Sequence, residues 1–357
     1  MLRIGLLTSG GDCQGLNAAM RGVAKALYEA FDEVEIHGIL DGYRGLIQDR
    51  IRLMKPEDFS GILTLGGTIL GTSRCPFKLM RVIGEDGVDK VEAMKNTIKK
   101  RKLDCLVILG GNGTHKTANL LRAEGVNVVT LPKTIDNDLW GTDMTFGFQS
   151  AVDIAANVID CIHTTATSHG RVFIVEVLGH QVGWLTLHAG IAAGADIVLL
   201  PEIPYDIEKV GSAIERRRKQ GKPFSILAVA EGALSKREAK MSKKELAAAR
   251  QKEGLPSIAY RLVQELEPYV GGESRVCVPG HFQRGGAPCA YDRMLATMLG
   301  AAAARLIREG KYGYMCAIVN NEIVPVPLEE VAGKLKKVPV DCPAVQMARE
   351  IGVSFGD

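Results

Sequence analysis

The chain has 357 residues, 46% of them apolar and 24% charged, with a net charge of +3. These values fit one large or two medium globular domains. The charge is too small to point to nucleic acid, and no apolar run nears the twenty residues of a membrane span. The eight cysteines (13, 75, 105, 161, 277, 289, 316 and 342) are scattered without a CxxC pair. That fits reduced thiols in the cytoplasm better than a disulfide framework or a zinc site.

The N-terminal MLRIGLLTSGG lacks a signal-peptide layout and reads as a first strand, residues 3–8. Ser9-Gly10-Gly11-Asp12 follows, then a helix over about 17–28 with Leu16, Met20, Val23, Ala24 and Leu27 on its buried face. A strand, a glycine turn and a helix start make a natural anion site, because the first backbone N–H groups are free and the helix dipole favours negative charge. Arg21 and Lys25, one turn apart on this helix, read as a solvated face or as a second anion site at a subunit boundary. A short strand is expected over 35–39, then a glycine-rich stretch, 61–74, ending in Arg74, whose planar fork suits phosphate.

The run 103–109 (LDCLVIL) is the strongest strand signal. It leads into Gly110-Gly111-Asn112-Gly113-Thr114 and a helix to about residue 123. This unit is neither a Walker loop nor GxGxxG, yet its glycines clear side chains from the backbone and Thr114 opens the helix with a hydroxyl, so it can cradle phosphates. The preceding 99–102 (KKRK) reads as a solvated helix end.

A buried strand over 127–131 (NVVTL) delivers Pro132–Asp138, PKTIDND. Two aspartates two apart are also the mark of a solvated turn. Here, however, they lie past the end of a buried strand, where α/β folds bind ligands, and Lys133 adds positive charge. A carboxylate in such a place acts as general base, holds a metal, or both. Asp136 is assigned the proton of a hydroxyl that attacks a phosphoryl group.

Further on, a helix is expected over 148–162 and a strand over 171–177 before Leu178-Gly179-His180. Next come a helix to about 193, a strand at 197–200 before Pro201-Glu202, and a strand at 225–230 ending in Glu231-Gly232. Ser242 and Glu245 form a capping box for a helix ending near Gly254. The basic run 216–219 lacks the interleaved aromatics of a nucleic-acid surface. A strand over 274–278 precedes Gly280-His281-Phe282-Gln283-Arg284-Gly285-Gly286, where His281 and Arg284 can hold a dianion. A long helix (291–308) and a hairpin around Asn320-Asn321 follow. Strand–helix alternation with polar residues at strand ends means an α/β chain: two doubly wound Rossmann-like lobes with mainly parallel sheets and an active-site cleft between them.

TSGGD, GGNGT, PKTIDND, VEVLGH, AEG and GHFQRGG, in this order and spacing, resemble the 6-phosphofructokinase family from about Met1 to Asn320. The resemblance implies phosphorylation of the 1-hydroxyl of fructose 6-phosphate in glycolysis. It implies a donor-binding lobe of residues 1–147 with about 283–333, a sugar-phosphate lobe of 148–282, and a C-terminal tail, 334–357. Asp136 would be the base, flanked by Thr134 and Asp138, with Asp138 helping to order metal or water. Gly11, Arg74, Cys75, Gly111, Asn112, Gly113, Thr114 and Lys133 would hold the donor. Ile135, Leu178, Gly179, His180 and Glu231 would contact the sugar. His281, Phe282, Gln283 and Arg284 would meet its 6-phosphate, joined by Arg171 and Arg275 of a neighbouring subunit, which implies a homotetramer or at least a dimer. These cations would supply positioning and charge neutralisation.

Three positions depart from the bacterial pattern. Asn112 stands where a carboxylate is expected to meet Mg²⁺; an amide oxygen can still ligate the ion or a water on it, but brings no charge. Leu178-Gly179-His180 replaces Met-Gly-Arg, and Lys133 replaces a glycine. Gly113 leaves room for a nucleotide, whereas Lys133 is typical of pyrophosphate users. The resemblance therefore implies ATP with Mg²⁺ as donor and pyrophosphate as the alternative. Arg21, Lys25 and Lys222 resemble parts of a bacterial effector site. A non-catalytic sugar-phosphate or nucleotide sensor, favoured only by Asn112, is the alternative from another class.

Overall fold

A computed structural model of the chain describes residues 1–85 and 87–357. It divides into two compact units, Met1–Ser150 with Arg284–Lys336, and Ala151–Gln283 with Lys337–Asp357.

The first unit runs β1 (Leu2–Ser9), α1 (Leu16–Ala30), β2 (Val34–Ile39), α2 (Tyr43–Ile47), β3 (Ile51–Met54), α3 (Lys90–Arg101), β4 (Cys105–Gly110), α4 (Asn112–Ala123) and β5 (Val128–Pro132). The chain continues through α5 (Phe148–His169), β6 (Val172–Val177), α6 (Trp184–Ala192), β7 (Ile197–Leu199), α7 (Ile207–Lys219) and β8 (Ser225–Ala230). Then come α8 (Lys243–Glu253), α9 (Ile258–Val270), β9 (Ser274–Cys277), α10 (Ala290–Arg308), β10 (Tyr314–Val319), β11 (Glu322–Pro327), α11 (Leu328–Val331) and α12 (Pro343–Glu350).

Among the described residues, the first unit holds a seven-stranded sheet in the order β11-β10-β5-β4-β1-β2-β3. Its interior is parallel, with an antiparallel strand at each edge. The chain winds outward from β1 in one direction and from β4 in the other, so the topological switch lies between these two strands. β4 and β5 are buried along their whole length. That accounts for their near-continuous apolar sequences, since a parallel strand covered on both faces has no solvent side to alternate toward. Leu7, Ile39, Leu106, Ile108, Leu121 and Met315 belong to the core of this unit.

The second unit holds a four-stranded, all-parallel sheet in the order β7-β8-β6-β9. Ile174, Leu199, Tyr205, Leu227, Val229 and Leu262 lie in its core. Its predicted capping box is present: the Ser242 hydroxyl accepts from the Glu245 N–H and the Glu245 carboxylate from the Ser242 N–H. The hairpin is also as expected, with Asn320 and Asn321 both at positive φ between β10 and β11. That is the backbone of the tight turn that joins two twisted strands.

Residues 334–357, set apart as a tail in the sequence, are structured. Leu335 bridges to Leu139 in the first unit, whereas Ser354 bridges to Ile197 in the second. The reason is apolar: Val338, Val345, Ala348 and Phe355 are each no more than 2% exposed. No helix among the described residues is long and apolar enough to cross a membrane.

Candidate active site

Parallel pairing sets three loops of the first unit side by side. Ser9 pairs with Gly110, and Gly110 with Pro132. TSGGD, GGNGT and PKTIDND thus leave the carboxyl ends of three adjacent strands, across the switch point where open α/β sheets bind ligands.

Each loop is tied to the next. The Thr114 hydroxyl donates to the Ser9 carbonyl at 3.3 Å, and the buried Tyr43 hydroxyl to the Thr114 carbonyl at 2.8 Å. Gly110 must be glycine here, because a Cβ on it would lie 2.3 Å from the Thr114 side chain. The His115 ring donates from Nδ1 to the Gly111 carbonyl at 2.9 Å. Its burial pushes the imidazole down to about 4, helped by the nearby Lys133 charge, so the ring is neutral. Gly113 is exposed, and a Cβ on it would meet nothing within 4 Å.

Lys133 is only 3% exposed, and its ammonium donates to the Gly11 carbonyl. Burial lowers its pKa, with Arg284 acting in the same direction and Cys13, Asp136 and Asp12 opposing. Cys13 is itself pushed up to about 12 by burial, so it is a neutral thiol packed under the turn. Arg284 donates from Nη1 to the Asp12 carbonyl at 3.1 Å. A Cβ on Gly11 would lie 2.8 Å from the same nitrogen, so glycine permits that approach. Arg284 shares the 280–284 turn with His281, as the sequence groups them, and it also rests on the Gly11 turn of the first unit. The third wall is the 72–75 stretch: the Thr72 hydroxyl donates to the Gly10 carbonyl at 2.7 Å, and the Gly10 N–H to the Ser73 carbonyl at 3.1 Å. Cys75 lies 3.7 Å from the Ser73 hydroxyl, and Arg74 is exposed without an ion pair among the described residues.

The PKTIDND turn combines one internal polar contact with several to residues outside it. The Thr134 hydroxyl accepts from the Asp136 N–H at 3.0 Å, and Ile135 anchors the turn in the core with no exposed surface. Asp136 and Asp138 are half-buried. Asn137, between them, is buried at φ 52°, and its Oδ1 accepts from the Thr145 N–H at 3.1 Å. The Asn112 amide donates from Nδ2 to the Lys334 carbonyl at 2.7 Å, which leaves its buried Oδ1 with no hydrogen-bond partner among the described residues. No cluster of three or more His, Cys, Asp or Glu side chains placed for a metal occurs among the described residues. An orphaned amide oxygen beside a phosphate cradle nevertheless fits Mg²⁺, which is usually held by one or two protein oxygens together with substrate phosphates.

In the second unit, Glu231 organises the turn after β6. One carboxylate oxygen accepts from the Gly179 N–H at 3.1 Å and the His180 N–H at 2.6 Å. The buried Gln283 accepts from the Leu178 N–H at 3.2 Å and donates to the Gly280 carbonyl at 3.1 Å, which ties GHFQR to the same turn. His180, His281 and Phe282 are exposed, Phe282 by 80%. A cavity of ≈ 540 Å³ is lined by His180, Glu231, Glu202, Arg250 and Lys337. Arg171 and Arg275 are elsewhere. They precede or begin β6 and β9, both bound to Glu273 at 2.8 and 2.6 Å. The six residues of β6 separate them from the Leu178–His180 turn by about 20 Å along the strand.

Sequence reasoning missed Asn137, Thr145, Tyr43, His115 and Lys336 as supports of these loops. The contacts of Tyr43 and Lys336 are long-range, those of His115 and of Asn137 with Thr145 are short, and no local pattern announces any of them.

The phosphofructokinase family model matches residues 3–307. The chain is 55% identical to the ATP-dependent 6-phosphofructokinase of Spirochaeta thermophila, covering 99% of this chain and 97% of that one. Among solved structures, the phosphofructokinase of Pichia pastoris in the T-state superposes with a TM-score of 0.78 at 33% identity over 92% of this chain. This chain spans only 35% of that longer one. The pyrophosphate-dependent phosphofructokinase of Nitrosospira multiformis superposes with a TM-score of 0.82 at 19% identity, covering 98% of this chain and 90% of that one, a likeness of fold alone. With the family motifs lying on the strand ends described above, this chain belongs to the phosphofructokinase family.

Proposed function

We propose that the chain phosphorylates the 1-hydroxyl of fructose 6-phosphate with ATP, giving fructose 1,6-bisphosphate. The observation that carries this reading is the row of three loops at the ends of β1, β4 and β5, with a half-buried carboxylate, Asp136, beside a glycine cradle and two cations.

The backbone of Gly11 and of Gly111–Thr114 receives the donor phosphates, with Arg74 and Cys75 along one wall. Lys133 and Arg284 meet negative charge at the Gly11 turn. Asp136, steadied by Thr134, accepts the proton of the 1-hydroxyl as the oxygen attacks the terminal phosphorus. Such a reaction needs positioning and charge stabilisation more than covalent help. Asn112 Oδ1 and Asp138 are the protein oxygens that would hold Mg²⁺, and the bound ion neutralises donor charge. Leu178, Gly179, His180 and Glu231 contact the sugar, and His281, Phe282, Gln283 and Arg284 its 6-phosphate. Arg171 and Arg275 complete that phosphate site from a second copy of the chain, as their distance from His180 within one chain supports. A homo-oligomer with shared sites, dimer or tetramer, and a cytoplasmic, glycolytic setting follow from this reading. Arg21, Lys25 and Lys222 remain candidates for effector contacts.

ATP is favoured as donor by the open space at Gly113 and by the name of the Spirochaeta thermophila relative. Pyrophosphate is the second reading, favoured by the Lys133 ammonium beside the Gly11 turn. Initial rates with fructose 6-phosphate and Mg²⁺, ATP against pyrophosphate, decide between them. Turnover with ATP alone is expected; turnover with pyrophosphate alone would reverse the assignment, and turnover with neither would favour the sensor.

A further inference from the structure

Residues 334–336 form a short strap along the loops of the first unit. The Lys334 carbonyl accepts from Asn112 of the GGNGT loop at 2.7 Å. The Lys334 ammonium lies 5.9 Å from the Trp140 ring centroid, and Leu335 bridges to Leu139. The Lys336 N–H donates to the Asp138 carbonyl at 2.9 Å. Its ammonium donates to Asn137 Oδ1 at 2.9 Å, the Thr142 carbonyl at 2.8 Å and the Asp143 carbonyl at 3.0 Å. One side chain, about two hundred residues away in sequence, thus grips both the middle of the TIDND turn and the stretch after it.

We infer that Lys336 is a positioning residue for the phosphoryl transfer: by holding Asn137 it fixes the direction in which the flanking Asp136 and Asp138 carboxylates project. The inference rests on Asp136 being the base, as proposed above. Asn137 has positive φ, a left-handed conformation that asparagine tolerates better than most L-residues, and its Oδ1 contacts hold it there. The Thr145 N–H and the Lys336 ammonium do so on the same Oδ1. An ammonium has three donors in a tetrahedral spread, and three oxygens surround this one. A planar guanidinium cannot reach the same three points. Asn112 gains a role in the same frame. A carboxylate at that position would set an acceptor against the Lys334 carbonyl, whereas the amide latches the phosphate loop to the strap.

The test uses full-length protein carrying Lys336→Met, Lys336→Arg or Lys336→Ala, with folding monitored by circular dichroism and thermal melting. In folded Lys336→Met we expect kcat to fall by about 10–100-fold, the range in which misplacing a reacting group is felt, with KM for ATP changed by less than about threefold. In Lys336→Ala, n-propylammonium, the fragment removed, should raise kcat several-fold while leaving the wild-type rate unchanged. Should Lys336→Met not fold, Lys336→Arg serves: it keeps the charge and misplaces the donors, so the same fall in kcat is expected. Folded variants with wild-type kcat would overturn the inference, as would propylammonium raising the melting temperature without raising kcat. The site reading is tested separately. If Asp136→Asn kept full turnover, the base assignment itself would be wrong; if Asp136→Asn lost turnover while Lys336→Met kept it, only the role of the strap would fall.

Discussion

In the seven-stranded sheet, Ser9, Gly110 and Pro132 end three neighbouring strands, and the cations Lys133 and Arg284 fold back onto the same turn. In the four-stranded sheet, the Leu178–His180 turn and Glu231 follow the ends of β6 and β8, but Arg171 and Arg275 lie at the opposite end, occupied by Glu273. On the proposed function, the first unit carries a phosphate site built within a single chain, whereas the second carries half of one at each end of its sheet. A cradle made of backbone, the buried Lys133 and the half-buried Arg284 is preorganised by the fold, whereas the half-buried Arg171 and the exposed Arg275, bound to an exposed carboxylate, can exchange that partner for a stronger dianion at small cost.

The sharpest way to break this comparison is at the preorganised end. Asp136→Asn keeps the size of the side chain and removes its basicity. Loss of general-base catalysis should lower kcat by about 10²–10⁴-fold with KM for both substrates little changed. Retained turnover in a rate assay would mean that the row of loops binds a donor without activating the acceptor.

At the other end, Arg171→Ala and Arg275→Ala should each raise KM for fructose 6-phosphate by about 10–100-fold, the usual worth of a charge-assisted phosphate contact, and leave KM for ATP alone. If the half-sites join between copies, mixing dissociated Arg171→Ala and Asp136→Asn chains and reassembling them should give, at fructose 6-phosphate well below the KM of Arg171→Ala, more activity than either parent, because some hybrid sites escape both lesions. No such gain in a properly reassembled mixture would place the arginines in their own chain's site. Gly113→Asp is a smaller perturbation. The side chain has room, so folding should persist, but a carboxylate facing donor phosphates should raise KM for ATP by about tenfold, near 1.4 kcal/mol. A fall in KM for ATP would locate the nucleotide away from α4.

How far the sequence showed all this depends on the range of the interaction. β4 and β5 were legible because parallel strands buried on both faces write continuous apolar runs. The three loops were legible because glycines and acids cluster after those runs, and the family motifs named their chemistry. Arg284 and His281 stand three apart and share one 3-10 turn, 280–284, as the spacing suggests; only folding shows that Arg284 also lies over Gly11. Asn112 looked like a lost carboxylate until the Lys334 carbonyl appeared beside it. The strap itself, 334–336, was read as tail, because a lysine pair near a C-terminus has no local pattern distinguishing an anchor from a solvated end. What a side chain donates to across two hundred residues is set by tertiary register, which periodicity does not encode.

His115 is hidden for another reason: its contact is local, one helical turn back to Gly111, but nothing in the sequence marks the ring as buried, and it bears on the rigidity of the cradle rather than on turnover. Its Nδ1–H is committed to the Gly111 carbonyl, and its buried Nε2 has no partner among the described residues, so a second proton there would be an unpaired buried charge close to Lys133. Hence burial holds its pKa near 4 in the folded chain, against about 6.5 when unfolded. Between these values the unfolded chain binds more protons, so stability rises with pH across the window. The contribution is complete above about 6.5 and is lost as pH falls toward 4; at about 1.36 kcal/mol per unit it is on the order of 3 kcal/mol. His115→Asn, whose amide can donate to the same carbonyl without titrating, should therefore lose less stability than wild type between pH 7 and pH 4 in denaturant titrations. Equal losses would mean that the ring admits water or an anion on protonation, and that the GGNGT end of the seven-stranded sheet is more yielding than its hydrogen bonds imply.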